Sequence, residues 1–141
     1  MLVPDVNILV SAEFDDLAHH RIARTWLRDA CDGHELVGIP GLVLSAFVRI
    51  STNQRVFNTA LTPELAFRRV REVLATPAAA VLYEGPRHWE LFERMALELG
   101  IAGPHVSDAY LAAFAIENDA TFVTFDRGFQ RFPGLRVVQP A

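Results

Sequence analysis

Short apolar runs alternate along the chain with longer segments whose apolar residues recur every three or four positions. The short runs predict β-strands and the longer segments predict helices; this alternation is typical of a parallel sheet covered by helices on both faces. We place strands near Leu2–Val3, Leu36–Ile39, Ala79–Leu82, Thr121–Thr124 and Leu135–Val138. The predicted fold class is α/β, a three-layer α/β/α sandwich around a five-stranded parallel sheet.

The predicted helices are of two kinds. Three are amphipathic and half exposed: Ala18–Ala30, a helix that opens at Thr62, and Arg87–Leu99. In the second of these, Phe67, Val70 and Leu74 are expected to face inward, and in the third Leu91, Phe92, Met95 and Leu99. Two others, Leu42–Ile50 and Asp108–Ile116, are apolar nearly all round and are expected to be buried. An acidic group in the first turn of a buried helix needs an explanation, because an unpaired buried carboxylate is costly.

The composition indicates one domain over residues 1–141. With 51% apolar residues and a mean hydropathy of +0.20, the chain can bury a sizeable core without disulfides or a structural metal. A single cysteine, Cys31, excludes a disulfide framework, and five histidines without zinc-ligand spacing exclude a closed zinc site. We expect a cytoplasmic protein with no membrane segment, because no apolar run is long enough to cross a bilayer.

The cations of the chain are 13 arginines and no lysine, which excludes a Walker P-loop and Schiff-base chemistry. The net charge of −4 is not typical of a general nucleic-acid binder. The segment Arg49–Arg71 nevertheless carries five arginines against Glu64 alone. This local positive charge is either a solvated helix face or a phosphate-binding patch, and in the second case Arg49 and Arg55 would contact RNA.

Three acidic residues lie where apolar strands end or a buried helix begins: Asp5, Asp108 and Asp126. Because the carboxyl ends of parallel strands form one edge of a sheet, these positions can converge. Three close carboxylates repel unless a divalent cation neutralises them, and oxygen-only ligands favour Mg²⁺, with Mn²⁺ as a substitute. The implied chemistry is phosphodiester hydrolysis by a metal-activated water. Each acid alone also has a structural explanation, as a turn former or a helix cap.

Other polar residues near these acids are weaker candidates. Asn7, Ser107 and Thr124 could orient carboxylates or waters, although capping and turn roles explain them as well. Arg127, beside Asp126, is the best single candidate for holding a phosphate. Four histidines are expected to be solvated and to have no role in the site: His19, His20, His88 and His105. No serine has the context of a catalytic nucleophile.

Five segments together resemble the PIN domain, and within it the VapC-type toxins of bacterial toxin–antitoxin systems. They are residues 5–9 (DVNIL), 43–53 (VLSAFVRISTN), 86–91 (PRHWEL), 106–113 (VSDAYLAA) and 124–135 (TFDRGFQRFPGL). The likeness extends over essentially the whole chain and is strongest to the large mycobacterial branch. The resemblance implies a Mg²⁺- or Mn²⁺-dependent endoribonuclease that acts on structured RNA such as tRNA or ribosomal RNA and inhibits translation and growth. It also implies a homodimer held in a complex with a VapB-type antitoxin.

By the matching motifs, Asp5, Asp108 and Asp126 take the catalytic and metal-binding positions of the family. One position departs from the pattern: PIN nucleases commonly carry a glutamate where this chain has Ala46. The missing acid bears on the second metal position and on the catalytic rate, while three carboxylates could still hold one Mg²⁺. Two origins of Ala46 fit the sequence equally, a natural feature of this subgroup or a change introduced to disarm a toxin. The alternative function is a catalytically degenerate PIN-fold module that binds RNA or a partner protein without cleavage.

Overall fold

The computed structural model describes residues 1–141 and shows a five-stranded sheet in which all neighbouring strands are parallel. The strands are β1 (Leu2–Pro4), β2 (Val37–Pro40), β3 (Ala79–Leu82), β4 (Thr121–Val123) and β5 (Arg136–Val138). Their order in the sheet is β3-β2-β1-β4-β5. The predicted fold class and all five predicted strands are therefore confirmed, with boundaries that differ by at most one residue.

Six helices connect the strands. They are α1 (Val6–Glu13), α2 (His20–Cys31), α3 (Gly41–Ser51), α4 (Pro63–Leu74), α5 (His88–Glu98) and α6 (Val106–Glu117). There are also two short 3₁₀ helices. Gly103–His105 directly precedes α6, and Arg127–Arg131 follows β4. Helix α1 was not among the predicted helices, because its apolar residues follow β1 without a break and show no polar face. None of the six helices is both long and apolar enough to cross a membrane.

The helices form two layers that follow from the strand order. The chain moves in one direction across the sheet from β1 to β2 to β3, and right-handed crossovers therefore place α1, α2, α3 and α4 on one face. The connection from β3 to β4 runs in the opposite direction, so α5 and α6 cover the other face. The chain leaves β1 and β4 toward opposite faces, and a crevice opens between their carboxyl ends. This point is the usual ligand site of open α/β sheets.

Helix α6 is the most buried helix, as its apolar sequence predicts. Residues 111–115 are all buried, and the run of alanines lets the helix approach the sheet closely. The fully buried Phe114 and Phe122 each stabilise the fold by about 1.5–3 kcal/mol through burial of apolar surface. Gly100 ends the preceding helix with φ 62°, a conformation that favours glycine.

Three predictions about the burial of apolar residues are wrong. Helix α3 is not buried all round: Val43, Phe47 and Ser51 face the interior, and Leu42 is 38% exposed. Neighbouring elements fully cover only one side of α3, and Leu44, Val48 and Ile50 are half-buried against the core. Phe67 is 53% exposed, because α4 packs inward through Ala66 and the positions one and two turns after it. Leu99, also expected to be buried, is 39% exposed because α5 ends before it.

The predicted solvation of the histidines is wrong for His88. Only 1% of it is exposed, because the first residue of α5 packs against α6. Its Nε2 lies 2.9 Å from the carbonyl oxygen of Tyr110, and its ring contacts the rings of Tyr110 and Phe114. His20 is half-buried, with Nδ1 2.8 Å from the carbonyl oxygen of Ser11. His19 and His105 are exposed, as predicted.

Candidate active site

The three predicted acids lie along the edge of the sheet where the strands end. Asp5 directly follows β1, Asp126 follows the end of β4, and Asp108 lies in the first turn of α6. Asp108 and Asp126 are both close enough to act electrostatically on Asp5. The three acids, which are separated by up to 121 positions in the sequence, therefore lie along one edge of the sheet, at the crevice between β1 and β4.

Asp5 is the most enclosed of the three acids, with only 6% of its surface exposed. It is the N-cap residue of α1: its Oδ1 accepts a hydrogen bond of 2.7 Å from the backbone N–H of Val6. Its own N–H donates to the carbonyl oxygen of Val123 at 2.9 Å, which ties the end of β1 to β4. Pro4 has no N–H to donate, and β1 ends there.

Thr124 and Asn7 form a network that holds Asp5. The Thr124 hydroxyl donates to Asp5 Oδ2 at 2.7 Å, and the Asn7 amide donates to the same oxygen at 3.0 Å. The Thr124 oxygen accepts from Asn7 Nδ2 at 2.9 Å and from the backbone N–H of Asp126 at 3.0 Å. The hydroxyl therefore uses its one donor and both acceptors. In this structure, Asn7 and Thr124 orient Asp5 and connect it to the Asp126 backbone.

Asp126 begins the 3₁₀ helix that follows β4. Its Oδ1 accepts a hydrogen bond of 2.8 Å from the backbone N–H of Gly128, and the residue is exposed to solvent. The other carboxylate oxygen, Oδ2, makes no hydrogen bond within the chain. The turn role that the sequence allowed for Asp126 is therefore present, and it leaves one oxygen available to a ligand.

Asp108 was expected to be buried, but 26% of its side chain is exposed. The helix begins two residues earlier than predicted, and Asp108 faces the edge of the sheet instead of its interior. Its Oδ2 accepts a hydrogen bond of 3.0 Å from Arg131 and lies 3.5 Å from Nδ1 of His105. No sequence pattern predicts Arg131 as part of the site, because its contact with Asp108 depends on how the 3₁₀ helix Arg127–Arg131 folds back toward α6.

Burial is the main reason that the pKa of Asp5 lies above its ordinary value. Hydrogen bonds from Thr124 and Val6 lower the pKa, and the negative charges of Asp108 and Asp126 raise it further. A cation next to Asp5 would counter both effects that raise the pKa.

This shift predicts how the stability of the protein depends on pH when divalent cations are removed with EDTA. The folded-state pKa of Asp5 is raised, so the stability it contributes is complete below its unfolded value of 3.8 and is lost as the pH rises through the folded value. Asp5→Asn cannot titrate here. We expect the free energy of unfolding of the wild type, minus that of Asp5→Asn, to fall in urea titrations as the pH rises from 3.8 through the folded-state pKa of Asp5. A difference that rises with pH would contradict a raised pKa.

Of the predicted RNA-binding arginines, only Arg127 lies beside an acid. Ser107 lies at a nearby cavity. Arg127 lies next to Asp126, is exposed and makes no ion pair. Arg49 lies near the end of α3, about 12 Å along the helix axis from the carboxyl edge of the sheet, and exposed Arg55 follows that helix. Ser107 makes no hydrogen bond to the carboxylates. It lines a cavity of about 390 Å³ with Leu42, Glu84, Val106 and Tyr110.

Ala46 lies on the face of α3 that turns toward this cavity. It is four residues after Leu42 and therefore on the same side of the helix, one turn further on. Side chains of a helix lean toward its N-terminus, and the N-terminus of α3 lies at the carboxyl edge of the sheet. A longer acidic side chain at position 46 would thus extend toward the first turn of α6, where Asp108 lies.

The donor set at this edge fits a hard divalent cation in its chemistry. It offers carboxylate oxygens from three acids, and no cysteine lies among them. The side chains do not form a compact metal cage: no group of three or more acidic, histidine or cysteine side chains is close enough to enclose an ion. Arg131 supplies the positive charge next to Asp108, and backbone or side-chain donors engage Asp5 and Asp126.

Comparison with known families and curated proteins gives a consistent result. The family model described as the PIN domain matches residues 2–135. Ribonuclease VapC43 of Mycobacterium tuberculosis is 43% identical over 140 residues, which cover 99% of this chain and 95% of that protein. Ribonuclease VapC33 of the same species is 36% identical over 140 residues, with 99% of this chain and 98% of that protein covered.

Solved structures with the same fold include toxin–antitoxin proteins. VapBC2 of Rickettsia felis, bound to a DNA fragment from its promoter, aligns with a TM-score of 0.74 at 19% identity over 99% of this chain and 98% of that chain. VapC20 of Mycobacterium tuberculosis, described as a toxin that cleaves the sarcin–ricin loop, aligns with a TM-score of 0.70 at 14% identity over 96% of this chain and 99% of that chain. At these identities the structures show a shared fold.

Proposed function

This chain belongs to the VapC group of the PIN domain family, and from that premise we propose that it is an endoribonuclease toxin that depends on Mg²⁺ or Mn²⁺. The observation that carries the proposal is the position of Asp5, Asp108 and Asp126 along one edge of the sheet, where the charges of Asp108 and Asp126 act on Asp5. The relatives named as ribonucleases support RNA as the substrate. Cleavage of structured RNA such as tRNA or ribosomal RNA would inhibit translation and growth in the cytoplasm.

The acids and the residues that hydrogen-bond to them have different proposed roles. Asp5, Asp108 and Asp126 would hold the ion, which when bound supplies an activated water and charge stabilisation for phosphodiester hydrolysis. Asn7 and Thr124 keep Asp5 in one orientation through their hydrogen bonds. Ser107 stays a weaker candidate for such a role.

Arginine side chains near the acids and further along the surface would bind the phosphates of the RNA. Arg127 is exposed beside Asp126 and would contact a phosphate near the cleaved bond. Arg49 and Arg55 would contact phosphates further along the strand, since they lie away from the acids. Arg131 would release Asp108 when the ion binds, because the ion and the guanidinium neutralise the same carboxylate.

The proposed protein partner is a VapB-type antitoxin. Structural neighbours that are toxin–antitoxin complexes, such as VapBC2 and the FitAB complex bound to DNA, support this partner. We also propose a homodimer. Helix α5 leaves Trp89 and Leu97 exposed by 66% and 75%, an apolar surface that a second copy would cover.

The test of the proposed function is a cleavage assay with the purified wild-type protein and total RNA. We expect cleavage with Mg²⁺ or Mn²⁺, none in EDTA, and recovery when the metal is added back. Expression of the wild type should arrest growth, and co-expression of the antitoxin should relieve the arrest. Cleavage that continues unchanged in EDTA would contradict a metal-dependent site.

Ala46 favours the second candidate, a PIN-fold module that binds RNA or a partner protein without cleaving RNA. The same assay separates the two functions. RNA binding without cleavage at any Mg²⁺ or Mn²⁺ concentration would favour the binding module, and cleavage would exclude it.

A further inference from the structure

Two aromatic rings are stacked at the edge of the sheet that carries the acids. The imidazole of His19 lies parallel to the ring of Phe125, with ring centroids 4.1 Å apart and an angle of 9° between the planes. His19 is exposed and Phe125 is half-buried. Because the stack covers only one face of the imidazole, its other face is open to solvent.

Phe125 is part of the backbone that positions the acids. It lies between Thr124, which holds Asp5, and Asp126. Its N–H donates to Oδ1 of Asn7 at 3.3 Å, the same side chain that donates to Asp5. The stack is therefore fixed to the hydrogen-bond network of the candidate active site.

His19 is held from the other side by the start of α2. Its carbonyl oxygen accepts from the N–H of Ala23 at 2.9 Å, and the following residue, His20, is bonded through its N–H to Leu17 and through its ring to Ser11. The His19 imidazole makes no hydrogen bond within the chain and does not cap α2. Its backbone is thus fixed, and its ring has no polar partner that would account for its orientation.

A flat exposed ring next to a phosphodiester-cleaving site is suited to one type of ligand group. Every nucleobase has an aromatic face, and unpaired bases in RNA stack on aromatic and histidine side chains. An aliphatic side chain at position 19 would cover Phe125 equally well but would not offer such a face.

We propose that the His19–Phe125 stack is a platform for an unpaired nucleobase of the RNA substrate, next to the phosphate that is cleaved. This proposal rests on the proposed function, since it takes RNA as the ligand. Stacking carries little sequence preference, so the platform would require an unpaired base at this position of the RNA more than a particular base.

The experiment uses an RNA oligonucleotide that the protein cleaves, with 2-aminopurine placed in turn at each position around the cleaved bond. Stacking on His19 should quench the fluorescence of the base at one position when the RNA binds, both in EDTA and with Mn²⁺. In His19→Ala we expect the quenching at that position to be lost and KM to rise about tenfold with kcat unchanged.

Three further variants separate stacking from other roles of His19. His19→Phe should keep the quenching and the low KM, because it restores an aromatic face. His19→Leu, which still covers Phe125, should behave like His19→Ala. His34→Ala is the matched control, because His34 is also exposed but lies in the loop before β2, at the opposite edge of the sheet. It should behave like the wild type.

The results distinguish the platform from the proposed function. The platform is overturned if His19→Ala or His19→Leu shows the same quenching and the same KM as the wild type. It is also overturned if His19→Phe loses the quenching and raises KM as much as His19→Ala does. If such variants are found while RNA is still cleaved, the proposed function stands and the platform fails. If the protein cleaves no RNA, the probe is placed along an RNA that it binds, and quenching that depends on His19 there would keep the base platform and reject the nuclease. The platform is also overturned if the wild-type protein quenches 2-aminopurine at none of the RNA positions.

Discussion

Replacing Asp5 by asparagine is expected to reduce RNA cleavage by about a thousandfold and to abolish growth inhibition. Asp5 is the most enclosed of the three acids, and its carboxylate lies in the crevice between β1 and β4. An amide is a weak ligand for a hard cation and carries no charge. A bound metal contributes several kcal/mol to phosphoryl transfer, and loss of about 4 kcal/mol slows a reaction about a thousandfold.

The same substitution should leave the fold intact. Asparagine loses part of the cap of α1, because Val6, Asn7 and Thr124 all donate to the Asp5 carboxylate. That loss costs about 1 kcal/mol. Removal of a buried charge that repels two other acids offsets it. We therefore expect the free energy of unfolding to change by no more than about 1 kcal/mol in urea titrations.

Glu98→Gln is the matched control for this prediction. Glu98 is exposed at the end of α5 and makes no hydrogen bond or ion pair, so the variant loses the same charge away from the acids. It should cleave RNA at the wild-type rate. A folded Asp5→Asn variant with wild-type activity would show that Asp5 takes no part in cleavage.

Replacing Ala46 by glutamate is expected to raise the cleavage rate by about ten- to a hundredfold at saturating Mn²⁺. The new carboxylate would extend from α3 toward the first turn of α6, on the face shared with Leu42. There it would add a fourth acid to the site, and a second ion that stabilises the leaving oxygen becomes possible. In EDTA the variant should melt at a lower temperature than the wild type, since four carboxylates repel more than three.

Ala46→Gln controls for the size of the new side chain. Glutamine has nearly the shape of glutamate and no charge, so this variant should not exceed the wild-type rate. The gain of Ala46→Glu should also vanish when Asp5→Asn is added. An Ala46→Glu variant that folds, binds no additional Mn²⁺ and cleaves no faster would show that position 46 does not face the three acids.

The strands and the edge that carries the acids could be predicted from the sequence, because both depend on local patterns. Five apolar runs mark the strands, and Asp5 and Asp126 follow two of them directly. The strand order could not be read in this way, since no local pattern records which strands are neighbours. The crevice between β1 and β4 is therefore a result of the structure.

Burial was harder to predict than secondary structure, because burial depends on what lies opposite a side chain. Leu42 and Phe67 have the apolar character of core residues, and both are exposed because no element covers them. His88 has a polar side chain, and it is buried because α6 offers it a carbonyl acceptor and two rings. The spacing of residues within one helix predicts neither the exposure of Leu42 and Phe67 nor the burial of His88.

The contacts among the site residues also required the structure. Arg131 is 23 residues from Asp108, and its ion pair forms only because the 3₁₀ helix after β4 returns to the start of α6. The sequence made Asn7 and Thr124 weaker candidates from their places beside the acids, with capping and turn roles as alternatives. In the structure, the Thr124 hydroxyl and the Asn7 amide form hydrogen bonds both to Asp5 and to the segment that leads to Asp126.

The central claim is that Asp5, Asp108 and Asp126 together bind one divalent cation, and isothermal titration calorimetry with Mn²⁺ tests it most directly. The wild type should take up at least one Mn²⁺ per chain, Asp108→Asn should lose this binding, and Glu98→Gln should retain it. No Mn²⁺ binding by the folded wild type, or equal binding by Asp108→Asn, would contradict the account.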